Sequence, residues 1–159
     1  MYDVTFYFAH HYLEKSDRTI DQMVQAARSG KQNIAEGTAA GNTSKETEIK
    51  LTNVAKASLQ ELLVDYEDFL RVRGLEQWQP DDARLAQTKR ACAAHNDSEY
   101  YRKAMPERSA ETIANIAITL IHQTDWLLNK LIEKLEIQFV ENGGVKEQMT
   151  KARKEYRGY

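Results

Sequence analysis

Four histidines and one cysteine are the side chains of this sequence best suited to chemistry. His10 and Glu14 lie four residues apart, so a helix would place them on one face, with His11 beside them. Two or three such groups are too few for a firm metal site. The sequence also lacks the Glu-x-x-His pairs that di-metal carboxylate bundles use. We therefore predict solvated surface residues at His10 and His11, with a metal role as the alternative.

His122 and Cys92 are the other candidates for catalysis. His122 precedes Trp126 by four residues, and this setting favours a hydrogen-bonded polar residue at an interface over a catalytic base. Cys92 follows Lys89 and Arg90, which would lower the pKa of its thiol if both cations converged on it. Its Ala-rich surroundings favour a packing residue instead. Nucleophile-elbow, phosphate-loop and dinucleotide motifs are absent from the sequence, so we predict no enzyme and no catalytic, metal or cofactor site.

The composition describes one helical domain with a tail. The chain has 159 residues, seven glycines and two prolines, and strong helix formers dominate it. The net charge of −2 excludes a basic field over the whole molecule, so any nucleic-acid binding must be local. The single cysteine excludes an intrachain disulfide and a zinc site built from several cysteines. We predict the all-α class.

The ends and the apolar stretches of the sequence suggest a cytoplasmic protein. The N-terminal segment Met1–Tyr7 lacks the basic start, apolar run and cleavage site of a secretory signal. The most apolar stretch, from Ile113 to Ile121, is interrupted by polar residues and is too short to span a bilayer. We expect no membrane partner.

Small and apolar residues recur in steps of three and four near the start of the chain, which is typical of a helix packed along its neighbour. Two glycines in this series, Gly30 and Gly37, each cost roughly 1 kcal/mol of helix propensity relative to alanine. Their presence predicts a close approach by another helix, although Gly37 also fits a frayed helix end. The full series is Ile20, Met23, Ala27, Gly30, Ile34 and Gly37.

Capping residues and apolar periodicity predict an antiparallel up-down four-helix bundle with an inserted short helix and a C-terminal helical suffix. The bundle occupies residues 1–141, and residues 75–106 form an excursion between bundle helices. A polar, basic suffix follows at residues 142–159. The predicted helices are Val4 to Leu13, Ser16 or Asp17 to Gly41, a capping box at Thr43–Glu46 leading to Val72, Asp81 to His95, and Ser109 to Asn142.

The segment Asn33-Ile34-Ala35-Glu36-Gly37 resembles the hallmark of the bacterial four-helix-bundle family related to the 23S rRNA intervening-sequence proteins. Ser58-Leu59-Gln60-Glu61-Leu62 is similar to a second motif of that family in the next helix. The start Arg108-Ser109-Ala110-Glu111 and the pair Gly143-Gly144 resemble a subgroup with a C-terminal suffix. The resemblance covers roughly Arg18 to Leu135.

This resemblance implies an antiparallel bundle that assembles with itself, often as a ring-shaped homopentamer, and no established enzymatic activity. In a related branch that serves diversity-generating retroelements, a basic pentameric barrel is thought to bind a reverse transcriptase and nucleic acid. The present chain departs from that branch because it is slightly acidic. We interpret the motif Asn33, Ile34, Ala35, Glu36 and Gly37 as structural, with Asn33 and Glu36 capping a neighbouring helix or pairing with Arg28 or Lys31.

Two functional hypotheses follow. The first is a noncatalytic, homo-oligomeric scaffold or interaction protein, assembled through the wide apolar face of the last long helix at Ile118 and Ile121. The alternative is an accessory protein for RNA or DNA that acts through an oligomeric basic surface, because an oligomer multiplies weak phosphate contacts. Its candidate contacts are Arg28, Lys31, Lys45, Lys146, Lys151, Arg153, Lys154 and Arg157.

Overall fold

A computed structural model describes residues 1–158 and confirms the all-α class, because within that range it contains helices and no strand. Tyr159, the last residue of the predicted suffix, lies outside the described residues. None of the described helices combines the length and the apolar character needed to cross a membrane. The helices are α1 (Tyr2–Tyr12), α2 (Thr19–Ala40), α3 (Lys45–Val72), α4 (Ala83–Ala94), α5 (Ser98–Ala104), a 3₁₀ helix (Met105–Glu107), α6 (Ala110–Asn142) and α7 (Val145–Arg157).

Four of these helices enclose the main core. α2 packs along α3, α3 packs along α6, and the short α1 packs against both α2 and α6. Their up-down order stays a prediction. All four helices supply large, fully buried side chains, among them Phe8, Met23, Tyr66 and Ile113, and Met105 of the 3₁₀ helix joins the same core. The bundle therefore has one continuous apolar interior, as the periodicity of the sequence indicates.

Side-chain caps define where four of the described helices begin. Ser109 accepts a hydrogen bond from the Thr112 amide and begins α6, as predicted. The capping box predicted at Thr43 is wrong by one residue. Ser44 has the extended backbone of an N-cap and accepts from the Thr47 amide, whereas the Thr43 hydroxyl donates to the Ala40 carbonyl. Thr43 is thus engaged in closing the end of α2.

The two glycines of α2 confirm the predicted close packing. Gly30 and Gly37 are buried inside the helix, and a Cβ at Gly37 would lie 3.3 Å from the Cβ of Leu51 and 3.4 Å from the carbonyl oxygen of Glu48. The frayed-end alternative for Gly37 is wrong, because α2 continues to Ala40. The absent side chains let α2 and α3 approach each other closely.

The segment from residue 75 to residue 106 is folded onto α6. Its predicted helix is present as α4, capped by Asp82, while α5 and the 3₁₀ helix were not predicted. α4 packs against α6. The buried Asn115 side chain of α6 also holds the segment, because it donates 2.8 Å to the Glu76 carbonyl and accepts 2.9 Å from the Trp78 amide.

The two halves of α6 differ in burial. All seven residues from Ile113 to Thr119 are buried, as expected for a helix with neighbours on several sides. Beyond Ile121, the buried residues of α6 are Leu128 and Leu135, seven positions apart on a single face. The second half of α6 therefore packs on one side and presents its opposite side outward.

Candidate functional surfaces

The motif from Asn33 to Gly37 lies in α2 and serves its contact with α3. The Asn33 side-chain amide donates 2.9 Å to the Ser29 carbonyl and 3.2 Å to the Ser29 hydroxyl. That hydroxyl lies 2.8 Å from the Ser58 hydroxyl of α3. Asn33 therefore does not cap a neighbouring helix, and that part of the interpretation is wrong, because its amide is used by its own helix.

The remaining motif residues divide by burial. Gly37 is buried and Ile34 is half-buried, whereas Ala35 and Glu36 are exposed. The ion pairs seen in residues 1–158 do not include Glu36, so its predicted pairing with Arg28 or Lys31 is not observed. The motif packs against α3 on one face of α2, and its other face, which includes Glu36, is exposed to solvent.

The predicted nucleic-acid residues do not converge on one patch. Lys31 lies beside α1, with its ammonium nitrogen 5.3 Å from the centre of the Tyr2 ring. Lys45 lies just past the end of α2, roughly 14 Å from Lys31 along the axis of that helix. Its ammonium nitrogen pairs with the Glu48 carboxylate at 3.0 Å. Lys45 and Val145 line the same small cavity, so Lys45 belongs with the start of the suffix. Arg28 and Lys31 form a separate basic site on α2.

α7, the helix of the suffix, is amphipathic, and all its residues are exposed. Val145, Met149, Ala152 and Tyr156 recur in steps of four, three and four, so they form one apolar stripe along α7. This helix begins after Gly143, whose positive φ of 70° ends α6 and redirects the chain. The other five candidate contacts all lie on α7, at Lys146, Lys151, Arg153, Lys154 and Arg157.

The second half of α6 exposes large apolar side chains. Trp126 is 60 % exposed, Ile137 59 % and Val140 82 %. Spacings of 11 and 14 residues place all three on the side opposite Leu128 and Leu135, and the ion pair between Lys130 and Glu133 lies between them. We call Trp126, Ile137 and Val140 the outer face of α6.

This distribution corrects the predicted assembly surface. Ile118 and Ile121 are 6 % and 1 % exposed, so they are core residues of a single chain. A charged substitution at either residue would disrupt the fold before it could report on an interface. The outer face of α6 is the surface on which an assembly test must act.

Three of the four histidines are exposed, and the fourth, His95, is half-buried and stacks on Tyr100 at 3.8 Å. His10 packs on the Phe6 ring at 4.3 Å, His11 stacks on Tyr7 at 4.6 Å, and His122 is exposed. The predicted surface positions of His10 and His11 are confirmed, whereas the predicted interface role of His122 stays a prediction. The part of the chain that the structure describes contains no group of three or more His, Cys, Asp or Glu side chains placed to hold a metal ion.

Cys92 is a packing residue, as its Ala-rich helix predicts. Its side chain is buried, and this burial raises the pKa of the thiol above the ordinary value of 9.0. The thiol is therefore protonated near neutral pH and is a poor nucleophile. Lys89 and Arg90 are exposed and do not lower this pKa, so the reactive interpretation of Cys92 is wrong.

Two arrangements important for a site lay outside the sequence predictions. One is the outer face of α6, and the other is the buried Asn115 beneath Trp78. A polar residue inside the apolar stretch from Ile113 to Ile121 was the available signal for Asn115.

Comparison with protein-family models, curated proteins and solved structures found no match for this chain.

Proposed function

We propose that this chain is a noncatalytic, homo-oligomeric helical scaffold related to the 23S rRNA intervening-sequence proteins. The outer face of α6 is the observation that carries the proposal. The family relation is supported by two motifs that resemble that family and that face each other across the contact of α2 with α3. Asn33 and Ser58, one from each motif, are linked through the Ser29 hydroxyl.

The outer face of α6 has the chemistry of a protein contact. Large apolar side chains in water are stabilised when a partner covers them, and tryptophan is among the residues that contribute most to binding. The Lys130–Glu133 pair between Trp126 and Ile137 adds a polar element that would orient a partner. A second copy of the chain can cover this surface without another protein, either with the same surface in a two-fold contact or with a different surface in a ring.

The solution mass tests the proposal. A pentamer of the 18.3 kDa chain has a mass of about 92 kDa, and light scattering separates it clearly from the monomer. We expect Trp126→Glu combined with Ile137→Glu to lower the mass while the helical circular dichroism is retained. Val72→Glu is the matched control, because Val72 is an exposed valine at the end of α3, and it should leave the mass unchanged.

Two results would overturn the scaffold proposal. One is a wild-type chain that stays monomeric at micromolar concentration. The other is a folded double variant with the wild-type mass, which would remove the outer face of α6 from the assembly.

A second candidate function is association with RNA or DNA through α7. The observation that favours it is the clustering of five basic residues on one exposed helix that also carries Tyr156, an aromatic side chain available for base stacking. The net charge of the chain is negative, so binding would depend on this local cluster and on its repetition in an oligomer.

Salt dependence distinguishes this candidate. We expect binding of a labelled single-stranded RNA to weaken steeply with salt, with a slope of about 0.7 per phosphate contact on logarithmic axes. Changing Lys151, Arg153 and Lys154 together to glutamine should reduce that slope. The same change at Lys89, Arg90 and Lys103, three exposed cations outside the suffix, is the control. Equal slopes for the two triple variants would rule out α7 as the binding surface.

A further inference from the structure

A cavity of about 230 Å³ lies where α4, α5 and the 3₁₀ helix meet the first half of α6. It shares no lining residue with the outer face of α6 or with α7. We propose that this cavity binds a small molecule that carries one carboxylate on an apolar body, such as an aromatic or branched-chain carboxylate. The proposal is independent of the scaffold function.

The first observation is a buried hydrogen-bond donor without a partner. Trp78 lines the cavity and is 8 % exposed. Its indole nitrogen Nε1 is the buried side-chain nitrogen or oxygen for which residues 1–158 supply no hydrogen-bond partner. Buried donors in proteins are almost always satisfied, so an acceptor from outside the chain, either a water molecule or a ligand group, would complete the hydrogen bonding of this N–H.

The second observation is that Trp78 is held in place by the core. Its backbone amide donates to the Asn115 side chain, and the same side chain donates to the Glu76 carbonyl and to the Glu111 carbonyl. Asn115 is itself buried on α6. The backbone at Trp78 is therefore anchored to α6 before any ligand arrives, as expected of a preorganised binding site.

The third observation concerns charge. Two arginines, Arg84 and Arg108, are among the residues that line the cavity. Arg84 packs over the Trp78 ring, and its charge is compensated by Asp82 and Glu76, each at 2.6 Å. Arg108 makes no ion pair with any described residue. One uncompensated guanidinium matches one carboxylate, which it binds through two parallel hydrogen bonds.

The fourth observation is an apolar wall. Ala91, Met105 and Ile116 line the cavity. These side chains offer no strong hydrogen bond, so they favour the hydrocarbon part of a ligand. The volume lies below the roughly 300 to 1,000 Å³ of sites for drug-sized ligands, so the apolar body is limited to one ring or a short branched chain.

Benzoate is the probe for this site, and the two tryptophans are the reporters. The ¹H–¹⁵N spectrum of the full chain contains two indole signals, which Trp126→Phe assigns. We expect benzoate to shift the Trp78 indole signal and to leave that of the exposed Trp126 in place. Benzamide has the same shape without the charge and should bind about tenfold more weakly. Inorganic phosphate lacks the apolar body and should produce no saturable shift.

Variants separate the two polar contacts. Arg108→Gln should weaken benzoate binding about tenfold, and Arg108→Lys should lose less. Trp78→Phe keeps an aromatic ring and removes the N–H, so it should also weaken binding. Arg102→Gln is the control, because Arg102 is exposed on α5 and does not line the cavity. Arg108 is exposed, so its variant retains the fold and decides the test even if Trp78→Phe is unstable.

Three outcomes would overturn the proposal. The first is the absence of any saturable change in the Trp78 indole signal up to the solubility limit of benzoate. The second is an equal affinity for benzoate and benzamide, which would remove the carboxylate from recognition. The third is a folded Arg108→Gln variant with wild-type affinity, which would remove the guanidinium.

Discussion

Gly30 of α2 lies so close to Leu59 of α3 that a Cβ atom on Gly30 would be 3.1 Å from the Leu59 Cδ2 atom. That distance is shorter than the ordinary van der Waals separation of two carbon atoms, so even one added methyl group needs the leucine to move. The helix accepts a residue of poor helix propensity because the neighbouring side chain occupies the space.

Gly30→Leu should therefore be strongly destabilising. We expect the free energy of unfolding to fall by about 1 to 3 kcal/mol or more, because an entire side chain must be accommodated in a filled contact. Urea denaturation followed by circular dichroism measures the change. Ala35→Leu adds a similar volume at an exposed position of the same helix and should cost little. An unchanged stability for Gly30→Leu would mean that α2 and α3 are further apart than described.

Tyr66→Phe should remove a buried hydrogen bond and change the alkaline stability. The Tyr66 hydroxyl donates to the Thr5 hydroxyl at 3.0 Å, and losing this bond should cost about 1 kcal/mol at neutral pH. Burial raises the pKa of Tyr66 above the ordinary value of 10.0. Above about pH 10 the unfolded chain releases the Tyr66 proton, whereas the folded state still keeps it.

The sign of the pH effect follows from that difference. The contribution of the neutral Tyr66 is fully present below about pH 10 and is lost as the pH rises further, by up to about 1.4 kcal/mol per pH unit. Urea denaturation at pH 9 and pH 11 should show that the free energy of unfolding falls less for Tyr66→Phe than for the wild type. Tyr156→Phe, at an exposed position, should behave as the wild type. Parallel losses in all three proteins would refute the assignment.

Asp65→Asn should stabilise the protein slightly at neutral pH. The pKa of Asp65 is raised above its ordinary value of 3.8, first by partial burial and then by the nearby charges of Asp68 and Glu61. The Asp65 carboxylate binds a proton more readily in the folded state than in the unfolded chain. The protein therefore gains stability as the pH falls through the raised pKa of Asp65 toward 3.8.

Because Asp65 is partly exposed, solvent screening limits the gain from Asp65→Asn at pH 7 to about 0.5 kcal/mol. The variant should also show less increase in stability between pH 7 and pH 4 than the wild type. Thermal denaturation across this range measures both effects. Asp81→Asn, at an exposed position on the segment before α4, is the control. A lower melting temperature for Asp65→Asn at pH 7 would contradict the prediction.

Asn115→Ala should detach the segment from residue 75 to residue 106 from α6. The substitution leaves the buried Trp78 amide without its acceptor and the Glu76 carbonyl without its donor. The expected cost is about 2 to 4 kcal/mol. Limited proteolysis should cut the segment faster than in the wild type. Asn53→Ala removes an exposed asparagine that bonds only to its own helix, and should not change the cleavage rate. Equal rates for the two variants would remove Asn115 as the anchor.

The predictions from sequence succeeded where the cause is local. Ser109 begins α6 as predicted because its hydroxyl accepts from the amide three residues later, whereas the cap of α4 is Asp82, one residue after the predicted start at Asp81. Gly30 and Gly37 predicted a close contact because they are poor helix formers on an apolar face, and the structure removed the alternative of a frayed end at Gly37. The one-residue error at Thr43 arose because two neighbouring hydroxyls can both cap, and only the backbone angles select Ser44.

The sequence by itself determined the all-α class, the approximate bounds of the long helices and the close approach of another helix to α2, because periodicity, caps and glycines act over a few residues. Only the tertiary structure decided that Ile118 and Ile121 are core and that Trp126 and Ile137 face outward. The reason is that one apolar pattern runs along all of α6, whereas the neighbours that cover it surround only its first half. The cavity at Trp78 could likewise not be predicted from the sequence, because it is lined by residues of several helices between Trp78 and Ile116.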